Sequence, residues 1–333
     1  MGGLWSELGK KVAERWMALL ALPGALYLAV CVFARVLGHR HALDVGHMTD
    51  RISDWASTPA VGSVGGQVVL LVAVLAGSAA VGLVAQGLAV LADGARLAAE
   101  WPSWPPPLRQ LAHRQVARRR RLWRQAARHH HGLRLDAARA VARGRRLDPG
   151  ERLAAHHAMR RVASEEPGRP TWSGDRIHSV VVRLERDYHL DLASVWPYLW
   201  LTLPDAARAE ITAARERLTR AGALSAWALL YLPVGWFWWP ALLIGGVLFA
   251  GGWVRGRTAA DAYAAVLESA TRLYAGELAR RLCLGAGSSA VPGAGPGPDV
   301  TDTGPLTREI GDALTRFAQS TPPPPPPPDE GTA

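Results

Sequence analysis

Residues 67–92 read QVVLLVAVLAGSAAVGLVAQGLAVLA, with no charged side chain. A helix needs about 20 mainly apolar residues to cross the hydrocarbon core of a bilayer, which is roughly 30 Å thick. An element that is half-buried in a water-soluble core shows an apolar stripe that repeats every 2 or 3.6 residues. The apolar residues here instead form a long continuous run. The stretch therefore predicts a membrane-spanning helix, and its length and composition predict an all-α membrane protein.

Two other apolar blocks extend this prediction. Residues 16–37 follow Lys10, Lys11 and Arg15 and predict a first span that stays uncleaved, because no small-x-small cleavage site follows. Residues 222–254 would form a helix of roughly 50 Å, which is too long for one straight crossing. Pro233 and Pro240 bracket four aromatic residues, and such residues favour turns and the membrane interface. This block predicts a helical hairpin, which makes four membrane-spanning helices in two pairs, with a single crossing as the alternative.

The distribution of charge predicts the topology. The chain has a net charge of +10, and residues 109–161 carry sixteen arginines against three acidic residues, which gives +13 for that stretch and −3 for the rest. Basic residues near spans stay in the cytoplasm, so the basic stretch and both termini are predicted inside. The predicted order is an amphipathic segment 1–15, span 16–37, an outward loop 38–66, span 67–92, a basic helical cytoplasmic domain 93–221, a hairpin 222–254, a juxtamembrane helix 255–284 and a disordered Gly/Pro-rich tail 285–333.

The cytoplasmic region shows several helix signals. Asp148 followed by Pro149 predicts an N-cap and a first helical residue, with a helix running to about residue 164. A second amphipathic helix is predicted from a stripe at i, i+3, i+4 and i+7, and its expected partner is the helix after Pro204. The aromatic segment 191–201 is either domain core or an element in the membrane interface. The stripe consists of Ile177, Val180, Val181 and Leu184.

The sequence argues against several classes of enzyme. No lysine follows Lys11, which removes the Walker A, kinase and Schiff-base lysines from most of the chain. Cys31 and Cys283 are too few for a disulfide framework or a thiolate metal centre. The sequence predicts no catalytic residues, no cofactor and no metal. One alternative stays open in the outward loop, where histidine and carboxylate residues could bind zinc or copper: His39, His41, Asp44, His47 and Asp50.

The arginine-rich stretch predicts contact with anionic lipid, because it begins close to the second span and each arginine near an anionic leaflet contributes about 1 kcal/mol. A protein partner is the alternative. Nucleic acid is disfavoured, because Trp123 is the only aromatic residue within the basic run and nucleic-acid grooves usually carry more stacking platforms. The candidate lipid-binding residues are Arg118, Arg119, Arg120, Arg121, Arg124 and Arg128.

Two further groups of residues are candidates for contacts between helices. Small residues on the predicted spans allow close helix packing, within one chain or in a homo-oligomer: Gly77, Ser78, Gly82, Gly246 and Ala250. A short amphipathic segment at 305–319 lies in the tail before a polyproline run. It predicts docking into a partner's groove, with folding onto its own domain as the alternative. Its apolar residues are Leu306, Ile310, Leu314 and Phe317.

The chain is thus predicted to be a non-enzymatic multi-pass scaffold or adaptor that presents a basic domain and a Pro-rich tail to partners. The alternative is an oligomerising effector that permeabilises the bilayer. The exclusive use of arginine after Lys11 is typical of a GC-rich bacterial genome. The predicted location is the bacterial inner membrane.

Overall fold

A computed structural model describes residues 22–39, 42, 44, 46, 49, 63–145, 148–282 and 306–320. Every long element within these residues is a helix and none is a strand, which confirms the all-α prediction for them. The predicted segment 1–15, most of the outward loop and the polyproline run lie outside the described residues. The helices are α1 Leu22–Leu37, α2 Val64–Leu97, α3 Pro106–Ala142, α4 Pro149–Val162, α5 Trp172–Tyr188, α6 Leu192–Thr202, α7 Asp205–Gly235, α8 Pro240–Arg281 and α9 Arg308–Gln319, with a 3-10 turn at Trp101–Ser103.

Side-chain caps fix where several helices begin. Ser63 accepts a hydrogen bond from the backbone N–H of Gly66 at the start of α2, and Thr171 does the same for Gly174 at the start of α5. Asp148 accepts from Gly150 N–H at 2.9 Å, with Pro149 as the first residue of α4. These bonds satisfy backbone donors that have no partner inside the helix.

The chain divides into two compact units. Unit 1 comprises Met1–Ala98 and Glu216–Ala259, and unit 2 comprises Ala99–Arg215 and Ala260–Ala333, as far as these ranges are described. In unit 1, α1 packs against α2 and also contributes to a cluster with the apolar ends of α7 and α8. The buried members of that cluster are Ala34, Tyr231, Val234 and Ala241.

Unit 2 has its own apolar core. Helix α6 supplies Val195 and Leu199, which are almost fully buried, while Trp196 packs at the edge of three neighbouring clusters. The aromatic segment 191–201 therefore packs largely as domain core, although Leu201 is exposed. The predicted stripe of α5 is also buried, but its partner is α8 and not the helix after Pro204, because Val180 and Leu184 cluster with Ala264 and Leu267.

Helices α7 and α8 are continuous across boundaries that the sequence suggested. The predicted domain limits at residues 221/222 and 254/255 fall inside α7 and α8. Both helices continue through these positions. The change from apolar to charged residues in the sequence therefore marks a change in the residues along one helix and not the end of a helix. Between the two helices, Trp236–Trp239 form the turn, and backbone N–H groups of Trp236 and Trp238 donate to the carbonyls of Pro233 and Val234.

One described helix is long and apolar enough to cross a membrane. It is α2, with a mean hydropathy of 2.7 over its most apolar window and 17% of that window buried. The low burial distinguishes α2 from the core helix of a water-soluble protein. The apolar helix α1 is shorter, with 16 residues described. Four membrane-spanning helices are therefore not shown by length and composition alone.

A matched pair of glycine substitutions tests the packing of α1 on α2. A Cβ at Gly24 would overlap the backbone carbonyl of Ser78, whereas a Cβ at Gly87 would meet nothing within 4 Å. We expect Gly24→Ala to lower the melting temperature of the detergent-purified protein, because the two backbones must separate. Gly87→Ala should leave it unchanged or raise stability by up to about 1 kcal/mol through helix propensity. Equal effects of the two changes would contradict the close contact.

Candidate functional site

The surface of unit 1 is apolar where a water-soluble protein would be polar. On α2, valine and leucine side chains are exposed in every turn between Val64 and Leu75, with Val69 70% exposed, and again at Leu83, Val84, Val90 and Leu91. Contiguous exposed apolar patches of this kind mark a protein or membrane interaction surface. The hairpin turn adds Trp236, which is 81% exposed, together with exposed Phe237 and Trp239.

The small residues predicted for helix packing have different surroundings. Ser78 is fully buried, Gly82 is buried, and a Cβ on Gly77 would lie 3.1 Å from Leu28 Cδ1. The contact of α1 with α2 therefore uses Gly77 and Ser78 within one chain. Gly246 and Ala250 are exposed, and a Cβ on Gly246 would meet nothing within 4 Å.

The helix contact between α7 and α8 instead uses glycines close to the predicted positions. A Cβ on Gly245 would lie 3.3 Å from the Ala228 carbonyl oxygen. A Cβ on Gly252 would lie 2.9 Å from Ser225 Oγ. These glycines lie on the face of α8 that meets α7.

A partly buried arginine joins three helices of unit 1. Arg96, at the end of α2, donates to Ser225 Oγ at 2.8 Å and to the carbonyls of Ala221 and Gly252 at 3.3 and 3.4 Å. A side chain at Gly256 would collide with its guanidinium, since a Cβ there would lie 2.5 Å from Nη1. Arg96 thus links the end of α2 to interior turns of α7 and α8.

In unit 2, side chains of α3 bind the loop between α4 and α5. Arg119 donates to the carbonyls of Val162 and Arg169 at 2.8 and 3.1 Å, and Arg120 donates to Pro167 O at 2.7 Å. The indoles of Trp101 and Trp123 donate to two further carbonyls of the same loop, those of Gly168 and Ala163. Arg124 pairs with Glu166 of the loop at 2.5 Å.

The centre of this arrangement is a buried ion pair. Arg119 Nη1 lies 2.7 Å from Asp175 Oδ2, and both side chains are at most 10% exposed. Asp175 also accepts from the backbone N–H groups of Gly168 and Arg169 at 2.9 and 2.6 Å. Burial raises the pKa of Asp175, while Arg119 and the two N–H donors act in the opposite direction.

The six arginines predicted to bind lipid therefore separate into three groups. Arg119 is buried, with 8% of its surface exposed, and its donors bind the chain itself, so the lipid prediction does not fit it. Arg120 and Arg124 are exposed but already bonded to the α4–α5 loop. Arg118, Arg121 and Arg128 are exposed, and α3 also exposes Leu108, Leu111 and Leu122.

Helices α5 and α8 are joined by two ion pairs of equal sequence separation. Arg176 Nε lies 2.5 Å from Asp261 Oδ1, and Arg183 Nη2 lies 2.5 Å from Glu268 Oε2. Each pair joins residues 85 positions apart, so the two helices run parallel in a constant register. The apolar contact of Val180 and Leu184 with Ala264 and Leu267 lies between these pairs, as in a short coiled coil.

The tail segment packs on its own unit. Leu306 and Leu314 are buried in a cluster with Leu190, Leu199 and Leu278, and Ile310 packs against that cluster. Phe317 is 37% exposed and stacks edge-on against Tyr198 at 5.6 Å between ring centroids. The face predicted to dock into a partner is therefore covered by α5, α6 and α8.

Polar contacts fix the orientation of α9. Asp191 N–H donates to Thr315 Oγ1 at 3.0 Å, Thr315 Oγ1 donates to the carbonyl of His189, and Gln319 Nε2 donates to Asp191 Oδ2. Hydrogen bonds from Ser194, Gln319 and the local backbone lower the pKa of Asp191. Gly311 approaches the Tyr188 carbonyl so closely that no side chain fits there.

The histidines do not form a metal site in the described part of the chain. Of the outward-loop candidates, His41, His47 and Asp50 lie outside the described residues, and His39 Nδ1 accepts from Trp239 N–H at 3.3 Å. The rings of His130 on α3 and His156 on α4 lie 5.2 Å apart between centroids and are tilted by 50°, and burial lowers the pKa of His130. Among the described residues no three histidine, cysteine, aspartate or glutamate side chains group as ligands.

Sequence reasoning missed the internal role of the arginines. A run of arginines shows charge but not the carbonyl oxygens that lie opposite it in the fold. The sequence did contain a weak signal for the packing face of α8. It is the spacing of a heptad, in alternating steps of four and three residues, at Ala260, Ala264, Leu267, Thr271 and Tyr274.

No family, curated protein or solved structure matches the chain.

Neighbouring arginines allow the buried pair to be tested. Arg119→Ala should destabilise the protein by about 3 kcal/mol, because it leaves the Asp175 carboxylate buried without its cation. Arg118→Ala removes the same charge one residue earlier from an exposed position and should change stability by less than about 0.5 kcal/mol. Chemical unfolding of the full-length protein in detergent measures both, and similar losses would contradict the assignment.

The packing of α9 can be tested by proteolysis. Leu314→Ser removes a buried side chain worth about 2 kcal/mol or more, and a helix of this length is marginal once undocked. We expect cleavage after Phe317 by chymotrypsin to become at least about tenfold faster. Glu309→Ser, at an exposed position in the first turn of the same helix, loses only local capping hydrogen bonds and should raise the rate far less, by no more than about threefold. Rapid cleavage of the unsubstituted protein would show that α9 is not held.

Proposed function

We propose that the chain is a non-enzymatic multi-pass membrane scaffold, with unit 1 in the bilayer and unit 2 on the cytoplasmic side. The observation that carries the proposal is the surface of α2, whose apolar side chains are exposed along most of its length although the helix is ample for one crossing. Exposing these apolar side chains to water costs free energy, whereas contact with lipid tails does not.

The ends of unit 1 support insertion of the hairpin. Arg217, Arg220 and Arg255 are exposed near one end of the apolar parts of α7 and α8, and the turn with Trp236 forms the other end. Basic residues and tryptophans prefer the two interfaces of a membrane. The apolar length from Arg220 to the turn is about 22 Å, shorter than the hydrocarbon core. Snorkelling arginines and local thinning of the bilayer accommodate such a difference.

The charge of unit 2 supports its cytoplasmic placement. The +13 net charge of residues 109–161 follows α2 closely in sequence, and basic residues near a span are retained inside. Other arginines of α3 bond to the loop between α4 and α5. The side chains that are exposed and do not bond to this loop include Arg118, Arg121 and Arg128. They are the residues available to anionic lipid headgroups or to an acidic partner.

A scaffold role is supported by how the chain uses its polar groups. The least exposed charges of unit 2 pair with one another or with main-chain atoms, as Arg119 does with Asp175 and Arg183 with Glu268. They hold helices in position. The permeabilising alternative has less support, because Gly77 and Ser78 already pack against α1 within the chain.

Cysteine accessibility in intact cells tests the topology. In a background without native cysteines, we expect a membrane-impermeant maleimide to label Trp236→Cys, because the exposed turn would face outward. Ala209→Cys and Ser320→Cys, also at exposed positions, should be labelled only after the cells are permeabilised. These two serve as matched controls for exposure.

The other outcomes have definite meanings. Labelling of Ser320→Cys but not Ala209→Cys would show that residues 222–254 cross once. Labelling of all three variants in intact cells would contradict a cytoplasmic unit 2. Recovery of the protein in the soluble fraction would contradict membrane insertion altogether.

A further inference from the structure

A groove runs between α1 and α2 on the surface of unit 1. Its volume is about 750 Å³, within the range of about 300–1,000 Å³ that small-molecule sites occupy. Its walls are apolar along most of their length. Leu28, Val32 and Val36 line it from α1, and Ala73 and Val74 line it from α2.

One charged side chain lines the groove. Arg35 lies near the end of α1, is exposed, and forms no ion pair within the described residues. Its guanidinium carbon lies 5.6 Å from the centre of the Phe237 ring in the hairpin turn, a cation–π distance. The aromatic ring holds the cation at the end of unit 1 where tryptophans are exposed.

We propose that this groove binds one anionic phospholipid, with an acyl chain against the apolar walls and the phosphate at Arg35. The chemistry of the groove matches the two parts of that molecule. A guanidinium pairs with phosphate through several N–H donors, and a cation near lipid tails is costly unless an anion accompanies it. The inference rests on the proposed membrane placement of unit 1.

Gly77 contributes to the shape of the site. It lines the groove, and a Cβ there would come within 3.1 Å of Leu28 Cδ1. The close approach of α1 and α2 at this level leaves the groove open towards Arg35, because the two helices meet most tightly at Gly24 and Ser78. A second copy of the chain fits less well, since its span would bring no anion to Arg35.

Retention of lipid by the full-length protein tests the site. The protein is reconstituted into vesicles of equimolar phosphatidylglycerol and phosphatidylcholine, extracted in a mild non-ionic detergent and examined by native mass spectrometry. We expect bound phosphatidylglycerol to exceed phosphatidylcholine. Arg35→Gln should lower that ratio about fivefold, the effect of one arginine near anionic lipid.

Three further variants make the result specific. Arg35→Lys keeps the charge and should keep most of the preference. Arg316→Gln removes an exposed arginine of α9, in unit 2, and should leave the ratio unchanged. Ala73→Trp fills the groove without changing charge and should lower the amount of either lipid retained.

Each contrary result overturns the proposal in a distinguishable way. An unchanged ratio in Arg35→Gln, or an equal loss in Arg316→Gln, would show that Arg35 does not select the lipid. Displacement of the lipid by inorganic phosphate alone would indicate a phosphate site without an acyl chain. If the protein enters vesicles but shows no lipid preference, only the proposed binding of phospholipid in the groove is refuted. If it fails to enter them, the proposed membrane scaffold is refuted as well.

Discussion

Guanidinium groups bound to main-chain carbonyl oxygens hold together segments that the apolar clusters leave apart. Arg96 binds two carbonyls and a hydroxyl on α7 and α8, and Arg119 binds two carbonyls that flank the loop before α5. A planar cation with five donors can satisfy several acceptors at once, so one arginine can join two helices, or a helix and a loop. Substituting lysine would keep the charge but lose this geometry.

The same use of arginine explains why net charge is a poor guide to the surface of unit 2. Part of the +13 charge of residues 109–161 is turned inward or towards Glu166. The cost of burying Arg119 is offset by Asp175, whose carboxylate also receives two backbone N–H groups. The arginines of α3 that are exposed and do not bond to the loop between α4 and α5 are a narrower set than the net charge suggests, and α3 also exposes leucines.

The helical class and several helix starts could be predicted because they depend on local chemistry. Asp148 caps the helix that begins at Pro149, and Pro233 and Pro240 bracket the aromatic turn. Each of these signals lies within a few residues of the structure that it predicts. The partners of α5 and α9 could not be predicted in the same way, because an amphipathic stripe shows which face is buried but not what covers it. The stripe of α5 meets α8, some 85 residues later, and the stripe of the tail meets its own unit.

The candidate site was predictable only in outline. The basic stretch and the small residues pointed to lipid and helix contacts, but burial separates Arg119 from Arg118, and the contact face of α8 carries Gly245 and not Gly246. The groove beside Arg35 had no sequence signal of its own, since it arises from the angle between two helices.

The constant register of α5 and α8 constrains how sequences of this kind can diverge in length. A residue gained or lost between the two ion-paired positions of either helix would rotate everything after it by about 100° and would prevent both ion pairs from forming together. A change of length in the turn around Trp236, by contrast, leaves both registers intact. Insertions and deletions should therefore accumulate in the connections during evolution, while the stretches from Arg176 to Leu184 and from Asp261 to Glu268 keep their length.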